Sequence, residues 1–232
     1  MKRPQLIVAL DLDRLEDVLR LRDELSDLVD FFKVGKELFT ACGPRVLEEL
    51  SPNRIFLDLK YHDIPATVAG AVRAAASHGV DLVDVHAMGG RAMMRAAADA
   101  AASSGKVRPL VLGVTVLTHL GDEELEEVGL GRSSTEQVVR LAKLAAESGL
   151  DGVVASAWEI EAVLEATGGR LSILVPGVRP AWASATHDQK RVATPKEAAR
   201  RGASYVVVGR AITRQQNRRE AASRILEELE SR

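Results

Sequence analysis

Short apolar segments alternate along the chain with longer segments in which apolar residues recur at helical spacing. The short segments predict strands at residues 5–11, 29–34, 54–60, 80–86, 108–116, 150–155, 171–176 and 203–208. The longer segments, rich in Ala, Leu, Glu and Arg, predict helices at residues 13–26, 36–50, 65–78, 90–103, 134–148, 157–167, 195–201 and 215–231. A strand and a helix therefore alternate eight times.

Eight such units in 232 residues leave about 29 residues for each, which is enough for a strand, a helix and two short turns. The strands are almost continuously apolar, as expected when both of their faces are covered. The pattern predicts an α/β fold, a closed (β/α)₈ TIM barrel that forms a single domain over residues 1–232. An open doubly wound sheet is the alternative, but it would more often carry a glycine-rich turn after the first strand, and residues 10–14 contain none.

Polar or special residues follow nearly every predicted strand. Chemistry in such barrels is found at the carboxyl ends of the strands. A single charged residue there could be a rim salt bridge, but so many together favour a common pocket. The residues are Asp11; Lys33; Asp58, Lys60 and Asp63; His86; Thr115 and Thr118; Pro176, Gly177 and Arg179; and Gly209 and Arg210. The longest irregular stretches, 117–133 and 178–194, are expected to be functional or mobile loops.

The segment 55–65 is the most informative of these. Residues two apart on a strand face the same way, so Asp58 and Lys60 should both point into the barrel mouth while Leu57 and Leu59 face the helices. Asp63 lies beyond the strand end and could fold back or reach a neighbouring subunit.

Lys33, on the adjacent predicted strand, would add a second ammonium group. The result is a predicted Lys33–Asp58–Lys60–Asp63 network whose opposite charges keep one another ionised. The chain has only eight lysines against 23 arginines, so lysines at two strand ends are unlike the background. Unlike arginine, lysine can release its proton.

The loops after strands seven and eight predict a phosphate site, because barrels often bind phosphate there. Arg179 and Arg210 offer forked donors, and Gly209 allows backbone amides to approach closely. Gln189 could add a further donor.

Composition excludes several classes. With a net charge of −2, the chain lacks the excess of basic residues by which proteins usually bind nucleic acids or anionic membranes. The single cysteine, Cys42, can form neither an internal disulfide nor a thiolate-rich metal site. The lack of disulfides favours a reducing cytoplasm. The sequence also contains no cluster of His and Cys residues that would predict a metal site. No apolar run is long enough to cross a membrane, and Asp11 ends the first one too early for a signal peptide.

Several segments together resemble the orotidine 5′-phosphate decarboxylase family in its short bacterial form. The D-x-K-x-x-D-I-P-x-T signature of residues 58–67 is the most specific of them. The others are residues 9–11, 32–35, 85–90, 114–118, 176–180, 188–191 and 208–213. Ala66, Met88, Val175 and Ala211 stand where the family often has Asn, Ser, Thr and Pro, and none of these departures removes a charge.

The resemblance implies that orotidine 5′-monophosphate is decarboxylated to uridine 5′-monophosphate, the last step of de novo pyrimidine synthesis. It implies no metal or organic cofactor and a homodimer whose partner completes each site. Lys60, beside Asp58, would pair with the negative charge that develops at C6 of the pyrimidine as carbon dioxide leaves, and would then donate a proton to that carbon. The other implied roles are Asp11 and Lys33 on the ribose, Thr118 on the pyrimidine, Arg179, Gln189 and Arg210 on the phosphate, and Asp63 and Thr67 in the partner's site, with His86, Pro176 and Ile64 as secondary candidates.

Three other functions stay open. A barrel decarboxylase acting on a sugar phosphate such as 3-keto-gulonate 6-phosphate also carries D-x-K-x-x-D, but it uses magnesium and lacks the His-Asp-Ile-Pro context. A Schiff-base aldolase would use Lys60 as a nucleophile, although Asp58 would keep that lysine protonated. A nucleotide-binding barrel without activity would not require the charged network.

Overall fold

The structure, a computed structural model, describes residues 3–105, 108–131, 133–183 and 193–231. Eight parallel strands close into a barrel in chain order, with the last strand paired to the first. The predicted TIM barrel is therefore confirmed, and the open sheet is excluded. The strands are β1 Gln5–Ala9, β2 Phe31–Gly35, β3 Ile55–Tyr61, β4 Leu82–His86, β5 Leu110–Val114, β6 Gly152–Val154, β7 Ser172–Val175 and β8 Tyr205–Val208.

Helices connect and surround the strands, and each of the eight predicted helical segments contains at least one. The helices are α1 Leu15–Leu25, α2 Lys36–Cys42, α3 Arg45–Leu50, α4 Pro65–Ser77, α5 Gly90–Ala102, α6 Asp122–Glu127, α7 Ser134–Glu147, α8 Ile160–Thr167, α9 Pro195–Arg201, α10 Arg210–Thr213 and α11 Arg218–Glu230. None of those within the described ranges combines the length and apolar character that a membrane crossing requires.

Two local predictions were wrong in detail. The helix expected over residues 36–50 is divided into α2 and α3, because Gly43 adopts a left-handed conformation and Pro44 follows it. Part of the irregular stretch 117–133 forms α6, where three acidic residues occupy the first turn and complement the helix dipole.

Strand alternation divides the apolar residues into two cores. One core lies between the strands and the helices, and it includes Val8, Phe32 and Leu57. The other fills the barrel interior with Ile7, Phe31, Phe56, Leu82, Leu112, Val114, Val154, Leu174, Tyr205 and Val207. Farther along β2, β3 and β4 the inward positions become charged, so a packed apolar floor supports a polar mouth.

Side chains at the amino-terminal end of the barrel join the strands in pairs. The residue preceding each even-numbered strand accepts a hydrogen bond from a backbone N–H near the start of the preceding odd-numbered strand. These bonds run from Leu6 to Asp30, Ile55 to Asp81 and Val111 to Asp151 at 2.8 Å each, and from Ile173 to Ser204 at 3.2 Å.

Arginines just before the odd-numbered strands pair with the three aspartates. The shortest N–O distances are 3.1 Å for Arg3–Asp30, 3.3 Å for Arg54–Asp81 and 2.9 Å for Arg108–Asp151. We call these three contacts the basal Arg–Asp pairs. Each carboxylate thus binds a cation and a strand amide at once, which satisfies backbone donors that the ladder leaves open.

Candidate active site

A cavity of about 470 Å³ occupies the carboxyl end of the barrel. Strands β1 to β4 and the residues that follow them supply its acidic and lysine side chains. The segments after β7 and β8 supply arginines, and residues after β5 add Val116, Leu117 and Thr118. The cavity therefore has a charged, densely paired side and a cationic side, joined by apolar walls.

The paired side consists of alternating carboxylates and ammonium groups. Lys33 Nζ lies 3.0 Å from Asp11 Oδ1 and 3.3 Å from Asp58 Oδ2. The other oxygen of Asp58 accepts a hydrogen bond from Lys60 Nζ. Asp84, which the sequence analysis did not select, approaches Lys60 from β4. We call these five residues the Lys–Asp network.

Asp84 is the most buried member, with no exposed surface. Its Oδ1 accepts the backbone N–H of Lys60 at 2.8 Å, and its Oδ2 lies 3.7 Å from Lys60 Nζ. A charged residue seldom lies in an apolar strand without a partner. That rule singled out the strand ends, and applied to the interior of the segment Val83–Asp84–Val85 it would have found this residue too.

The carboxyl-terminal part of β3, which carries Asp58 and Lys60 into the cavity, is irregular. The pairing with β4 shifts register between Leu57 and Tyr61, and Lys60 has a φ of +51°. Both Asp58 and Lys60 line the cavity, as strand alternation predicts, while Leu57 packs in the helix-facing core. The positive φ shows that the strand departs from regular extended geometry at Lys60, the residue that enters the cavity.

Burial and charge act in opposite directions in the network. Burial alone would raise the pKa of Asp58, but the Lys33 and Lys60 charges outweigh it and lower that pKa to about 2. Burial would lower the pKa of Lys33, but Asp58 and Asp11 more than compensate and raise it. For Asp84, burial and the neighbouring Asp58 charge together raise the pKa well above its usual value. Asp58 and Lys33 are therefore held ionised, while Asp84 is pushed towards the neutral acid.

Gly35 gives the Lys33 ammonium the room that it needs. A Cβ built on Gly35 would lie 2.7 Å from Lys33 Nζ and 3.3 Å from Asp11 Oδ1. No real Cβ comes that close to a neighbouring atom, so a side chain here would displace the ion pair.

Asp63 is not part of the network within this chain. It is exposed, and its Oδ1 accepts the backbone N–H of Ile64 at 2.6 Å. Ile64 is 66% exposed, and Thr67 is exposed in the first turn of α4. Of the two placements expected for Asp63, the chain does not adopt the folded-back one. Contact with a neighbouring subunit stays a prediction for Asp63 and Thr67.

His86 lies at the end of β4, outside the residues that line the cavity. Its ring centroid is 5.2 Å from that of His62. Burial and the nearby His62, Lys60 and Lys36 charges lower the pKa of His86 to about 4, so this imidazole is neutral at physiological pH. Its Nδ1 is buried without a hydrogen-bond partner among the described residues.

The cationic side brings together the predicted phosphate residues that the structure describes. Pro176, Arg179, Gly209 and Arg210 all line the cavity, as does Thr118. Gly177 has a φ of +68°, a conformation that favours glycine. Gln189 lies outside the described residues. Two residues that the sequence analysis missed, Arg214 and Gln215, extend this side beyond α10.

No metal site is evident in the part of the chain that the structure describes: no group of three or more His, Cys, Asp or Glu side chains is arranged to hold an ion. The side chains that line the cavity include ammonium, carboxylate and guanidinium groups.

Comparison with known proteins gives a consistent family. The sequence model described as Orotidine 5′-phosphate decarboxylase / HUMPS family matches residues 4–225. Orotidine 5′-phosphate decarboxylase of Moorella thermoacetica is 50% identical over 235 residues, 98% of this chain and 93% of that protein. The enzyme of that name from Trichlorobacter lovleyi is 48% identical over 229 residues, 97% and 95% of the two chains. A crystal structure of orotidine 5′-phosphate decarboxylase from Lactobacillus acidophilus aligns with a TM-score of 0.84 at 39% identity, covering 99% of this chain and 100% of that one.

Proposed function

The chain belongs to the orotidine 5′-phosphate decarboxylase / HUMPS family, and we infer from this that it decarboxylates orotidine 5′-monophosphate to uridine 5′-monophosphate in pyrimidine biosynthesis. The observation that carries the assignment beyond family membership is the Lys–Asp network beside an arginine-lined wall in one cavity. A phosphate site alone would suit either a nucleotide or a sugar phosphate, but a half-buried lysine held between carboxylates suits the stabilisation of a carbanion.

Lys60 is the proton donor in the proposed mechanism. When the bond between C6 and the carboxylate breaks, carbon dioxide leaves and the electron pair stays on C6 in an orbital that the ring delocalises poorly. The Lys60 ammonium pairs with that charge and then transfers a proton to C6, which forms the C–H bond and leaves a neutral amine. Solvent returns the proton to Lys60 after the product departs.

Asp58 faces the substrate carboxylate in this scheme. Because its pKa is lowered to about 2, it is ionised wherever the enzyme works. Two carboxylates in close approach repel each other, and the loss of carbon dioxide relieves part of that repulsion. Lys33 keeps Asp58 oriented and, with Asp11, binds the ribose hydroxyls, while Thr118 meets the pyrimidine edge.

The phosphate is held by Arg179 and Arg210, with Gln189 and the Gly209 amide as further donors. Bidentate guanidinium contacts are well suited to phosphate oxygens. The phosphate lies far from C6, so its binding energy serves to orient the ring over Lys60 rather than to react. Arg214 lines the same wall and extends its positive charge.

A homodimer with shared sites is part of the proposal. Ile64, which follows the exposed Asp63 and precedes the exposed Thr67 by three residues, is 66% exposed, and Met88, just after β4, is 43% exposed; both values are unusual for large apolar side chains. A second copy of the chain would cover this surface and receive Asp63 and Thr67 in its site. The proposal treats residues 1–232 as one domain working in the cytoplasm.

Mixing two inactive variants tests the shared site. Asp63→Ala and Lys60→Ala dimers, mixed under conditions that allow subunit exchange, should regain activity. One of the two sites in each mixed dimer combines an intact Lys60 from one subunit with an intact Asp63 from the other. Mass spectrometry of the mixture confirms the exchange. No recovery despite confirmed hybrids would contradict the shared site.

A direct assay tests the function itself. The ultraviolet change of orotidine 5′-monophosphate on conversion to uridine 5′-monophosphate should be seen with purified enzyme, and it should survive EDTA. Loss of activity in EDTA that magnesium restores would favour the sugar-phosphate decarboxylase alternative. Borohydride trapping of substrate on Lys60 would favour the aldolase, and tight nucleotide binding without turnover would favour an inactive barrel.

A further inference from the structure

Asp84 is the feature of the cavity that the proposed mechanism does not use. It lies in the middle of β4, at an inward position above Leu82, and it has no contact with solvent. Its Oδ1 accepts the backbone N–H of Lys60, while its Oδ2 lies 3.7 Å from the Lys60 ammonium, beyond hydrogen-bond distance, and Asp58 is its other charged neighbour. A side chain that contacts the catalytic lysine at both ends is placed to fix its position.

The first contact stabilises an unfavourable backbone. Lys60 has a φ of +51°, which side chains other than glycine seldom adopt and which persists only when the surroundings hold it. The register shift between Leu57 and Tyr61 takes this stretch out of the regular ladder with β4. Asp84 Oδ1 accepts the Lys60 N–H at 2.8 Å in place of a ladder carbonyl. The bond anchors the bulge at the residue that must point into the cavity.

The second contact concerns the charge balance. Within the network the two ammonium groups of Lys33 and Lys60 are matched by the carboxylates of Asp11 and Asp58. An ionised Asp84 would be a third anion, fully buried and 3.7 Å from an ammonium that already donates to Asp58. Burial of a charge without its own partner is costly, and a neutral acid avoids that cost.

We propose that Asp84 is a positioning residue for Lys60, acting as a buried, uncharged hydrogen-bonding group that anchors the left-handed backbone and confines the ammonium between two carboxyl groups. The pKa of Asp84, raised by burial and by Asp58, agrees with this assignment. The inference rests on the proposed function, because it assigns Asp84 a role in presenting the proton donor of that reaction.

Two substitutions separate the hydrogen bond from the charge. Asp84→Asn keeps an oxygen for the Lys60 N–H and carries no charge, so kcat should stay within about threefold of wild type. Asp84→Ala removes the anchor, and kcat should fall by about 100-fold, the loss that a misplacement of about 1 Å can cause. The KM for orotidine 5′-monophosphate and the affinity for uridine 5′-monophosphate should change little in both variants, because neither removes a group that holds the ribose or the phosphate.

A matched control lies on the same pair of strands. Asp81 accepts the N–H of Ile55 at 2.8 Å at the base of β3 and β4, far from the cavity. Asp81→Ala removes an equivalent aspartate-to-amide bond, so its Tm should fall while kcat is unchanged. If Asp84→Ala does not fold, Asp84→Val, which fills the site with an apolar side chain of similar size, takes its place.

The outcomes are distinct. A normal kcat for Asp84→Ala, or for Asp84→Val in its place, would overturn the positioning role. A kcat for Asp84→Asn as low as that of Asp84→Ala would overturn the uncharged assignment, since the charge would then be required. Wild-type enzyme that fails to convert orotidine 5′-monophosphate would instead refute the proposed function, and the wild-type assay reports that before any variant is made.

Discussion

The basal Arg–Asp pairs and the Lys–Asp network use the same attraction between carboxylates and cations at opposite ends of one barrel. At the base, the arginine side chains are 29%, 49% and 39% exposed and their aspartates 21% to 28%. In the network, Lys33, Lys60 and Asp58 are 10%, 24% and 13% exposed and Asp84 is fully buried, while Asp11 is 53% exposed. Within the network, the pKa of Asp58 is lowered and that of Asp84 is raised.

The choice of cation separates the two ends as much as burial does. Arginine keeps its proton under all physiological conditions, so the basal pairs can only hold strands together. Lysine can release its proton, and a half-buried lysine between carboxylates can deliver it to a substrate. The same kind of ion pair is therefore structural or chemical according to how far it is exposed to solvent and whether its cation can release a proton. Four predictions test this division, and the largest effect is expected in the network.

Lys60→Ala should abolish turnover while the fold survives. Because the variant lacks the proposed proton donor and the positive charge proposed to face C6 of the substrate, kcat should fall by at least about 10³-fold. The ultraviolet assay measures the rate, and calorimetric titration with uridine 5′-monophosphate should still detect binding. Near-normal decarboxylation by this variant would remove Lys60 from the mechanism and blur the distinction between the two ends.

Arg210→Ala tests whether an arginine at the mouth serves the ligand rather than the fold. The loss of a charged hydrogen bond to phosphate should lower kcat/KM for orotidine 5′-monophosphate by about 10- to 100-fold. Activity on the phosphate-free nucleoside, already low, should be unchanged. An equal loss on both substrates would contradict the phosphate assignment.

Asp151→Ala tests the base. This carboxylate accepts the Val111 N–H at 2.8 Å and pairs with Arg108 at 2.9 Å. Its removal leaves a strand amide without a partner and should lower the free energy of unfolding by about 1–3 kcal/mol. Thermal unfolding measures the shift, and kcat at a temperature where the variant is folded should equal that of wild type. A selective loss of kcat would mean that the two ends are coupled.

The pH dependence of stability sharpens the contrast inside the network. Asp84, faced by Asp58, Lys60 and Tyr61, has its pKa raised in the folded state, so the folded chain binds a proton that the unfolded chain releases. Its contribution to stability is present below the unfolded pKa and is lost as the pH rises towards the folded pKa.

Asp84→Asn removes this dependence. The unfolding free energy of the variant relative to wild type should therefore increase as the pH rises from 4 to 7, by at most about 1.4 kcal/mol per unit. Urea unfolding at several pH values measures it. A difference between the two proteins that is independent of pH would mean that Asp84 is ionised in the fold.

Much of the fold follows from the sequence, because eight βα units each leave a local signature of alternation and helical spacing. The network members Asp11, Lys33, Asp58 and Lys60 were found since charges at strand ends conflict with burial unless they share a pocket. The same rule, applied to the interior of β4, would have selected Asp84, but its contact with Lys60 depends on the bulge in β3 and so on pairing between strands. The break between α2 and α3 and the helix α6 depend on local turn and first-turn residues, which hydrophobic periodicity does not detect.

The position of Asp63 marks another limit of sequence reasoning. Spacing shows that it lies beyond the end of β3, but not which surface it contacts, since that depends on how a second chain packs. Ile64, its exposed neighbour, offers the same ambiguity. Long-range partners of this kind are set by assembly, and a pattern along one chain does not contain them.

The four bonds at the base have a consequence for how the polypeptide could be cut and rejoined. Each bond links an odd-numbered strand to the next strand, so every bond lies within one quarter of the barrel. Gly168 and Gly169 are exposed at a junction between quarters, and Arg3 Nε lies 3.9 Å from Glu230 Oε1, so residues near the two ends of the described chain lie close together. A circular permutant that joins those ends by a short linker and opens at Gly168–Gly169 would retain all four bonds.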